Sequence, residues 1–458
     1  MTRVAASFVG CKVSQADGEE ALASLVAAGL EPVTQRDAAD VVVVHTCCVT
    51  AEAERKSRRL VRRAASAGRR VVVAGCAAAL RPGQFEGEGV TVAAHPDWTE
   101  LAGGLAEEDV RRRALGAAGS ATETDAAHDA FHDAADDATS DATPCATQDT
   151  AARDTAAAAA ARDVAAPRAT PGARTRLVLK VQDGCTGACT YCVVRLVRGR
   201  PRSLPLAQAL TAARAGLEAG GGEVVLSGID LGAWRDGDAR LPDLVAAIAE
   251  LDGLRRVRLS SVEPRHVDAG LLELLAHPRV ARHLHVPLQS ADDGVLAAMR
   301  RPYTWEGYLR SVGGLRRVPG GAMLSTDVIV GYPSEDEAAF ARTLQALQSG
   351  LFGRVHVFAY SSRPGTAAAE LPPLPAAVVK ERMGRALAAA EAAALAARRA
   401  ALGREAEVLV EERRDGLWKG YSSDYVRYAL RGRARRGDLV RAVADELTGD
   451  GVAGSVKE

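Results

Sequence analysis

Short runs of consecutive apolar residues, separated by stretches with helical periodicity, make up the first hundred residues. Arg3–Val9, Val41–Val44 and Arg70–Val73 suit buried parallel strands, and Glu19–Ala28 and Ala53–Ala65 suit the helices between them. The pattern resumes at Leu177. Leu177–Val181, Glu223–Ser227, Val257–Ser261, His283–Leu288, Ser325–Val330 and Arg354–Tyr360 read as strands. Leu206–Ala219, Leu241–Leu251, Asp268–Leu275, Asp292–Met299 and Glu335–Ser349 read as the helices that alternate with them. That alternation predicts a barrel or partial barrel of parallel strands. A long Ala-rich helix over Leu374–Leu402 follows. Then "EAEVLVEE", "GLWKGYSSDYVRYAL" and "GDLVRAVADELTG" alternate apolar and polar positions around Gly-rich turns, which predicts a small antiparallel barrel of a size that often carries nucleic acid.

Between Ala114 and Thr170 the pattern vanishes. Ala, Asp and Thr dominate and large apolar residues are scarce, so this stretch cannot bury enough surface to offset its ordering entropy. The expected class is α/β, in four parts: an open parallel α/β domain over 1–113, a disordered linker over 114–172 that includes an unused Cys145, a partial (β/α) barrel over 173–402, and a small β-barrel over 403–458.

Composition narrows the function. Lys plus Arg and Asp plus Glu both number 58, so no global field points to nucleic acid. No apolar run approaches a bilayer span, and the N-terminus lacks a long apolar h-region. The expected compartment is the cytoplasm, where thiols stay reduced. There, eight cysteines point to metal or redox chemistry ahead of disulfides.

The cysteines fall into patterns. Cys11, Cys47 and Cys76 each follow the end of a predicted strand, where ligands gather in open parallel sheets. One such cysteine reads as a small core residue; three in the same position read as a shared ligand set. Cys185, Cys189 and Cys192 lie on one loop, "GCTGACTYC", directly after the first barrel strand. That places them at the barrel mouth. A structural zinc site wants four closed ligands, and no second knuckle follows. Three thiolates on a four-iron cluster leave one iron open to a small molecule.

The Cys-x3-Cys-x2-Cys loop with Tyr191 before its last cysteine resembles the signature of radical S-adenosylmethionine (SAM) enzymes. Together with "VGCKV", "HTCCVT", "AGCAA", "HVPLQSADDGVLAAMRR", "TDVIVGYPSEDEAAF" and "FAYSSRPGTAA", the chain resembles the methylthiotransferase family over nearly its whole length. The resemblance implies two [4Fe–4S] clusters. Cys185, Cys189 and Cys192 would hold the one that binds SAM, and Cys11, Cys47 and Cys76 an auxiliary one used in sulfur insertion. It further implies a TRAM-like C-terminal barrel, a tRNA substrate, SAM, and an electron donor such as flavodoxin or ferredoxin. The cofactors would carry the hard step, replacing an aromatic C–H with a methylthio group.

Three branches compete: tRNA isopentenyladenosine, tRNA threonylcarbamoyladenosine, and a ribosomal-protein aspartate. "GCKVSQADGE", "KVQDGCTGACTYC" and "LSSVEP" look most like the threonylcarbamoyladenosine branch, and the "GCQMN" of the isopentenyl branch is absent. A non-catalytic iron–sulfur or zinc protein that binds RNA is the alternative from another class. His45 stands where the family has Asn, Cys48 follows Cys47 as a rival ligand, and Arg195–Leu196 replace a usual Pro-Tyr. Ser227, Gly228, Ser260, Ser261, Gln289 and Asp327 are candidate SAM-pocket residues, with simple turn roles as the alternative. His285 reads as a hydrogen-bonded core histidine. Arg55, Lys56, Arg58, Arg59, Arg62 and Arg63 suit either a phosphate-facing helix or a solvated charged face. Tyr421, Tyr425 and Tyr428, with Arg427 between them, suit base stacking, with core filling as the alternative.

Overall fold

The apolar runs of the first hundred residues form one parallel sheet in the computed structural model, which describes residues 1–107 and 175–457. The stretch expected to be a linker, Cys145 included, lies outside the described residues. Strands β1 (Arg3–Phe8), β2 (Glu31–Pro32), β3 (Val41–Thr46), β4 (Arg70–Gly75) and β5 (Val90–Val92) stand in the order β2-β1-β3-β4-β5. Their alternating faces sort the valines of β3. Val41 and Val43 pack with Val4 and Leu25 on one side, and Val42 and Val44 with Val61 and Val73 on the other. Helix α1 (Lys12–Ala27) starts seven residues before the expected Glu19. The helical pattern before Glu19 is weak because the first turns bury small and polar residues, Ser14, Ala16 and Asp17 among them. The earlier start makes Cys11 the N-cap. Helix α2 (Ala51–Ser66) is capped by Thr50, whose hydroxyl accepts from the Ala53 amide at 3.1 Å.

The central strands are β6 (Arg176–Lys180), β7 (Glu223–Ser227), β8 (Arg256–Leu259), β9 (His283–His285), β10 (Met323–Val330) and β11 (Arg354–Ala359). They form two parallel three-stranded sheets, β8-β7-β6 and β9-β10-β11, joined by parallel bridges such as Ser261 to His285. The result is a six-stranded partial barrel. Its outer face, with Leu179, Leu226, Val257, Leu284 and Val328, packs into one large apolar core.

Helix α1 lies across the open side, where Ala16 packs on Val178 and Val225. The docking is ionic as well. The Lys180 ammonium donates to Asp17 at 2.5 Å in a buried setting.

The C-terminal strands β12 (Glu405–Arg414), β13 (Leu417–Ser422), β14 (Arg427–Arg431), β15 (Leu439–Leu447) and β16 (Val452–Val456) close into a barrel in the order β12-β13-β14-β16-β15. Its Ser422–Tyr425 turn is inserted against the central barrel. Buried Arg256 and Arg258 both bind the carboxylate of Glu223, at 2.5 and 3.0 Å. They also donate to the carbonyls of Tyr421 and Ser422, each at 2.9 Å. Tyr425, held at φ 67°, stacks against His283 with ring centroids 4.8 Å apart and carries the Arg258 guanidinium at 4.5 Å. Tyr428 is 1% exposed in the small barrel's core. The core-filling alternative therefore holds for Tyr428. Tyr425 packs between the domains, and Tyr421 stacks on Tyr425 at 5.0 Å. Arg427 is paired with Asp450.

Candidate active site

The Gly184–Cys192 loop leaves the C-terminal end of β6 under tight local control. Gly184 adopts φ +74°, and a Cβ there would meet the Arg200 carbonyl oxygen at 2.1 Å, so only glycine fits. The Gly184 amide donates to Asp183 at 2.8 Å, and the Cys185 amide donates to the Gly199 carbonyl at 3.1 Å. Thr190 anchors the far side through Tyr332 (2.8 Å) and the Ala298 carbonyl (2.9 Å). All three thiols are half-buried.

Gly187 keeps the space between the thiols clear. A Cβ on it would lie 3.1 Å from Cys185 Sγ and 3.8 Å from Cys189 Sγ. Arg301 donates to Cys189 Sγ at 3.3 Å, is ion-paired to Glu263, and donates to the Tyr303 hydroxyl at 2.8 Å. Burial pushes the Cys192 thiol up to about 12. A thiol so shifted ionises only with strong positive charge beside it. A half-buried loop with a cleared space between thiols suits a cluster held by thiolates, whose negative charge the fixed guanidinium offsets.

The second thiol set comes from three chain segments. β1, β3 and β4 are neighbours in the sheet, in the register Phe8 to His45 and Thr46 to Gly75. Their ends therefore deliver Cys11, Cys47 and Cys76 to one edge. Contact is close: Gly10, at φ +113°, would place a Cβ 2.7 Å from both Cβ and Sγ of Cys47. Cys11 is exposed, whereas Cys47 and Cys76 are buried. Burial pushes the Cys47 thiol up to about 12. Cys76 moves the other way, held below the ordinary thiol range by a hydrogen bond from Cys48 and by the Arg198 guanidinium. Cys48 itself is 0% exposed and belongs to the apolar core with Val44 and Val73. Cys47, not Cys48, is the thiol that abuts the Cys11 turn. His45 is buried, and both its ring nitrogens lack a hydrogen-bond partner among the described residues.

One residue joins the two sets. Arg198 ends α3 (Val194–Arg198), the short helix after the Cys192 loop. Its Nε donates to Cys76 Sγ at 3.1 Å, and its other nitrogens donate to Asp17 at 2.7 Å and Asp183 at 3.1 Å. Burial pushes the Asp17 carboxyl up, but Arg198 and Lys180 outweigh it and hold the group well below the usual carboxylate range. Val193 and Val197 lie in the same apolar core as Cys48 and Cys76. The departure at Leu196 is part of this packing, because Leu196 rests on that core while Arg195 is exposed.

The remaining sequence candidates divide. Ser227 and Gly228 end β7, and Ser260 and Ser261 follow β8. The buried Ser260 hydroxyl has no partner among the described residues. Gln289, at φ 67°, bridges to Val328. Asp327 sits deeper in the barrel and is bonded to two histidines. On α2, Arg55, Lys56, Arg59, Arg62 and Arg63 are exposed and Arg58 is half-buried. Arg55, Arg58, Arg62 and Arg81 line a groove of about 790 Å³. Sequence reasoning missed Arg198 and Arg301. Arg301 lay inside a segment that had been singled out, but nothing local marks either arginine as a thiol partner.

Comparison with known proteins gives a consistent answer. The Radical SAM superfamily matches residues 179–347, and the uncharacterized protein family UPF0004 matches residues 3–94. A tRNA-2-methylthio-N(6)-dimethylallyladenosine synthase of Cereibacter sphaeroides is 39% identical over 267 residues, which cover 57% of this chain and 61% of that protein. The synthase of the same name from Erythrobacter litoralis is 31% identical and covers 98% of this chain and 96% of its own. The threonylcarbamoyladenosine tRNA methylthiotransferase MtaB of Thermotoga maritima is 29% identical, covering 99% and 96%. Among solved structures, the radical SAM methyltransferase TsrM of Kitasatospora setae shares the fold with a TM-score of 0.53 at 16% identity, over 80% of this chain and 77% of that one.

Proposed function

The chain belongs to the radical SAM methylthiotransferase family, and on that premise we propose that it adds a methylthio group to C2 of N6-threonylcarbamoyladenosine in tRNA. The family's cofactors are SAM and [4Fe–4S] clusters. The observation that carries the proposal is two separate three-thiol sets held together by Arg198. Cys185, Cys189 and Cys192 would hold the cluster that leaves an iron open for SAM. Cys11, Cys47 and Cys76 would hold the auxiliary cluster. When bound, these cofactors supply C–H activation and sulfur transfer.

The chain's own residues set the conditions. Arg301 places a positive charge on Cys189 and is fixed by Glu263 and Tyr303. Gly187 keeps the space between the thiols open. Half-buried Tyr191, packed against Met299 and Tyr332, shields one side of the loop. Ser227, Gly228, Ser260, Ser261 and Gln289 stand at the strand ends, where the SAM pocket is proposed. The exposed arginines of α2 offer phosphate contacts to tRNA. An acidic electron carrier such as flavodoxin or ferredoxin is the proposed reductant, and the cytoplasm the proposed compartment. Among the described residues no helix is long and apolar enough to cross a membrane.

The threonylcarbamoyl substrate is favoured by "GCKVSQADGE" and "LSSVEP"; full-length relatives carry either substrate in their names, at 29% identity for the Thermotoga protein and 31% for the Erythrobacter one. The isopentenyl nucleoside is the second reading, favoured by the 39% identity to the Cereibacter synthase. Nucleoside mass spectrometry of tRNA from a deletion strain, with and without the restored gene, separates the two. Restored 2-methylthio-N6-threonylcarbamoyladenosine is the expected result. A methylthio group on the isopentenyl nucleoside would overturn the substrate and keep the chemistry. No methylthio nucleoside in either strain would overturn both.

A further inference from the structure

Away from both thiol sets, the lumen of the central barrel gathers His285, Asp327 and His356 from three adjacent parallel strands, β9, β10 and β11. The register sets Asp327 opposite His356, and His285 opposite Ser325 two residues earlier on β10. All three side chains meet inside the barrel. His285 Nε2 lies 3.1 Å from one carboxylate oxygen of Asp327, and His356 Nδ1 lies 3.1 Å from the other. The two imidazoles stack at 5.4 Å with planes 26° apart. One ligand atom from each residue falls within 4.8 Å of the other two. Among the described residues no other group of three His, Cys, Asp or Glu side chains converges in this way.

We propose that His285, Asp327 and His356 form a binding site for a divalent first-row transition ion. Two imidazoles and a carboxylate on one side of an ion, with the other side open, suit zinc, iron(II) or manganese(II) and disfavour magnesium and calcium. The two His–Asp spacings of 3.1 Å match the edges of such a coordination shell, since ligands about 2.0–2.2 Å from an ion stand roughly 3–3.6 Å apart, and the three ligand atoms lie within 4.8 Å of one another. An outer partner is in place. His285 Nδ1 lies 2.9 Å from Ser325 Oγ, which lies 2.8 Å from His283 Nε2. With Nδ1–H donating to Ser325, the Nε2 lone pair of His285 points to the ion, as in metal sites where the second ring nitrogen is held by a hydrogen bond. The ion has a way in, because the side chains of Asp327 and His356 are 23% and 42% exposed. The proposal gives Asp327 to an ion, not to the SAM pocket expected from its place in the sequence. It does not rest on the methylthiotransferase reading.

The test reads metal content and not activity. Cluster-loaded full-length protein is dialysed against micromolar Zn²⁺, and zinc and iron per chain are measured by mass spectrometry. One zinc per chain beyond the iron is expected. Loss of an outer-shell partner alone weakens metal binding by about 10–100-fold, so Asp327→Asn and His356→Asn should weaken it by at least that factor, and Ser325→Ala by about tenfold. Iron per chain should stay unchanged in all three. His356→Asn, on the half-exposed edge strand, keeps the test sound if Asp327→Asn disturbs folding. No zinc in the wild-type protein, or zinc retained equally by Asp327→Asn and His356→Asn, overturns the site. The second result would place the ion on free thiols.

Discussion

The two thiol sets offer the same number of ligands and are built by different means. Cys185, Cys189 and Cys192 share one loop, and the fixed points around them are mostly local: Asp183, Gly184, Gly187 and Gly199. Cys11, Cys47 and Cys76 come from three strand ends, so their meeting depends on the parallel register of β1, β3 and β4. The loop set is half-buried at a mouth, where a small molecule can reach it; two of the three sheet thiols are buried. A site that must admit a cofactor repeatedly is better placed on a loop over a rigid barrel. A site that must hold its group through the reaction is better placed on a sheet edge. Arg198 then ties the two together, since it follows the loop set in sequence and donates to Cys76 in space.

The largest expected effect breaks the comparison into halves. Replacing Cys185, Cys189 and Cys192 with Ala should leave roughly four irons per chain and abolish reductive SAM cleavage. Replacing Cys11, Cys47 and Cys76 should also leave roughly four irons, keep SAM cleavage, and abolish methylthiolation. Iron analysis and product chromatography on reconstituted protein check both. Loss of all iron from either folded variant would mean that the sets are one site.

A smaller effect probes the tie. Arg198→Ala leaves Asp17 and Asp183 buried with less positive charge, and breaking a buried ion pair in this way costs about 3–5 kcal/mol. The sheet set should suffer first, because Cys76 loses its guanidinium. Urea denaturation gives the stability change, and iron content with SAM cleavage shows which set fails. Equal loss from both sets would show that Arg198 supports the whole interface and not Cys76 in particular.

The smallest effect lies outside both sets, at the anchor of the C-terminal barrel. Burial pushes the Glu223 carboxyl up, but Arg256 and Arg258 outweigh it and bring the group to about 2, below its ordinary 4.5. A folded-state pKa below the unfolded one gives stability that is present above pH 4.5 and lost as pH falls toward 2, at most about 3 kcal/mol. Glu223→Gln should be less stable at pH 7 and should flatten that acid dependence. Denaturation midpoints across pH 3 to 6 measure it. An unchanged slope would show that Glu223 does not govern the docking of the barrel.

Much of this was legible in the chain. Periodicity found the six barrel strands and the three central strands of the N-terminal sheet, because buried parallel strands need unbroken apolar runs; the short edge strands Glu31–Pro32 and Val90–Val92 and the helix Trp305–Val312 were not read. β7 runs over the expected Glu223–Ser227, and the long helix over Ala376–Ala401 within the expected Leu374–Leu402. The loop thiols were visible because their ligand spacing is a local property. The start of α1 was hidden because its first turns bury small and polar residues such as Ser14, Ala16 and Asp17, whose burial is a matter of packing. The tyrosines of the last domain stayed open between stacking and core filling for a related reason. "GYSSDYVRY" has the composition of a base-stacking surface, and composition does not say which domain lies opposite.

By itself, then, the sequence determined most of the strands and helices, the α/β class, and the six cysteines worth attention, since each follows from neighbours along the chain. The tertiary structure decided which groups touch across distance: Arg198 with Cys76, Arg301 with Cys189, Tyr425 with Arg258, and His285 with Asp327 and His356. The physical reason is that an arginine or histidine carries no local mark of its partner. Its charge and hydrogen bonds are directed only once the sheets have brought distant strands into register and burial has made an unpaired polar group costly.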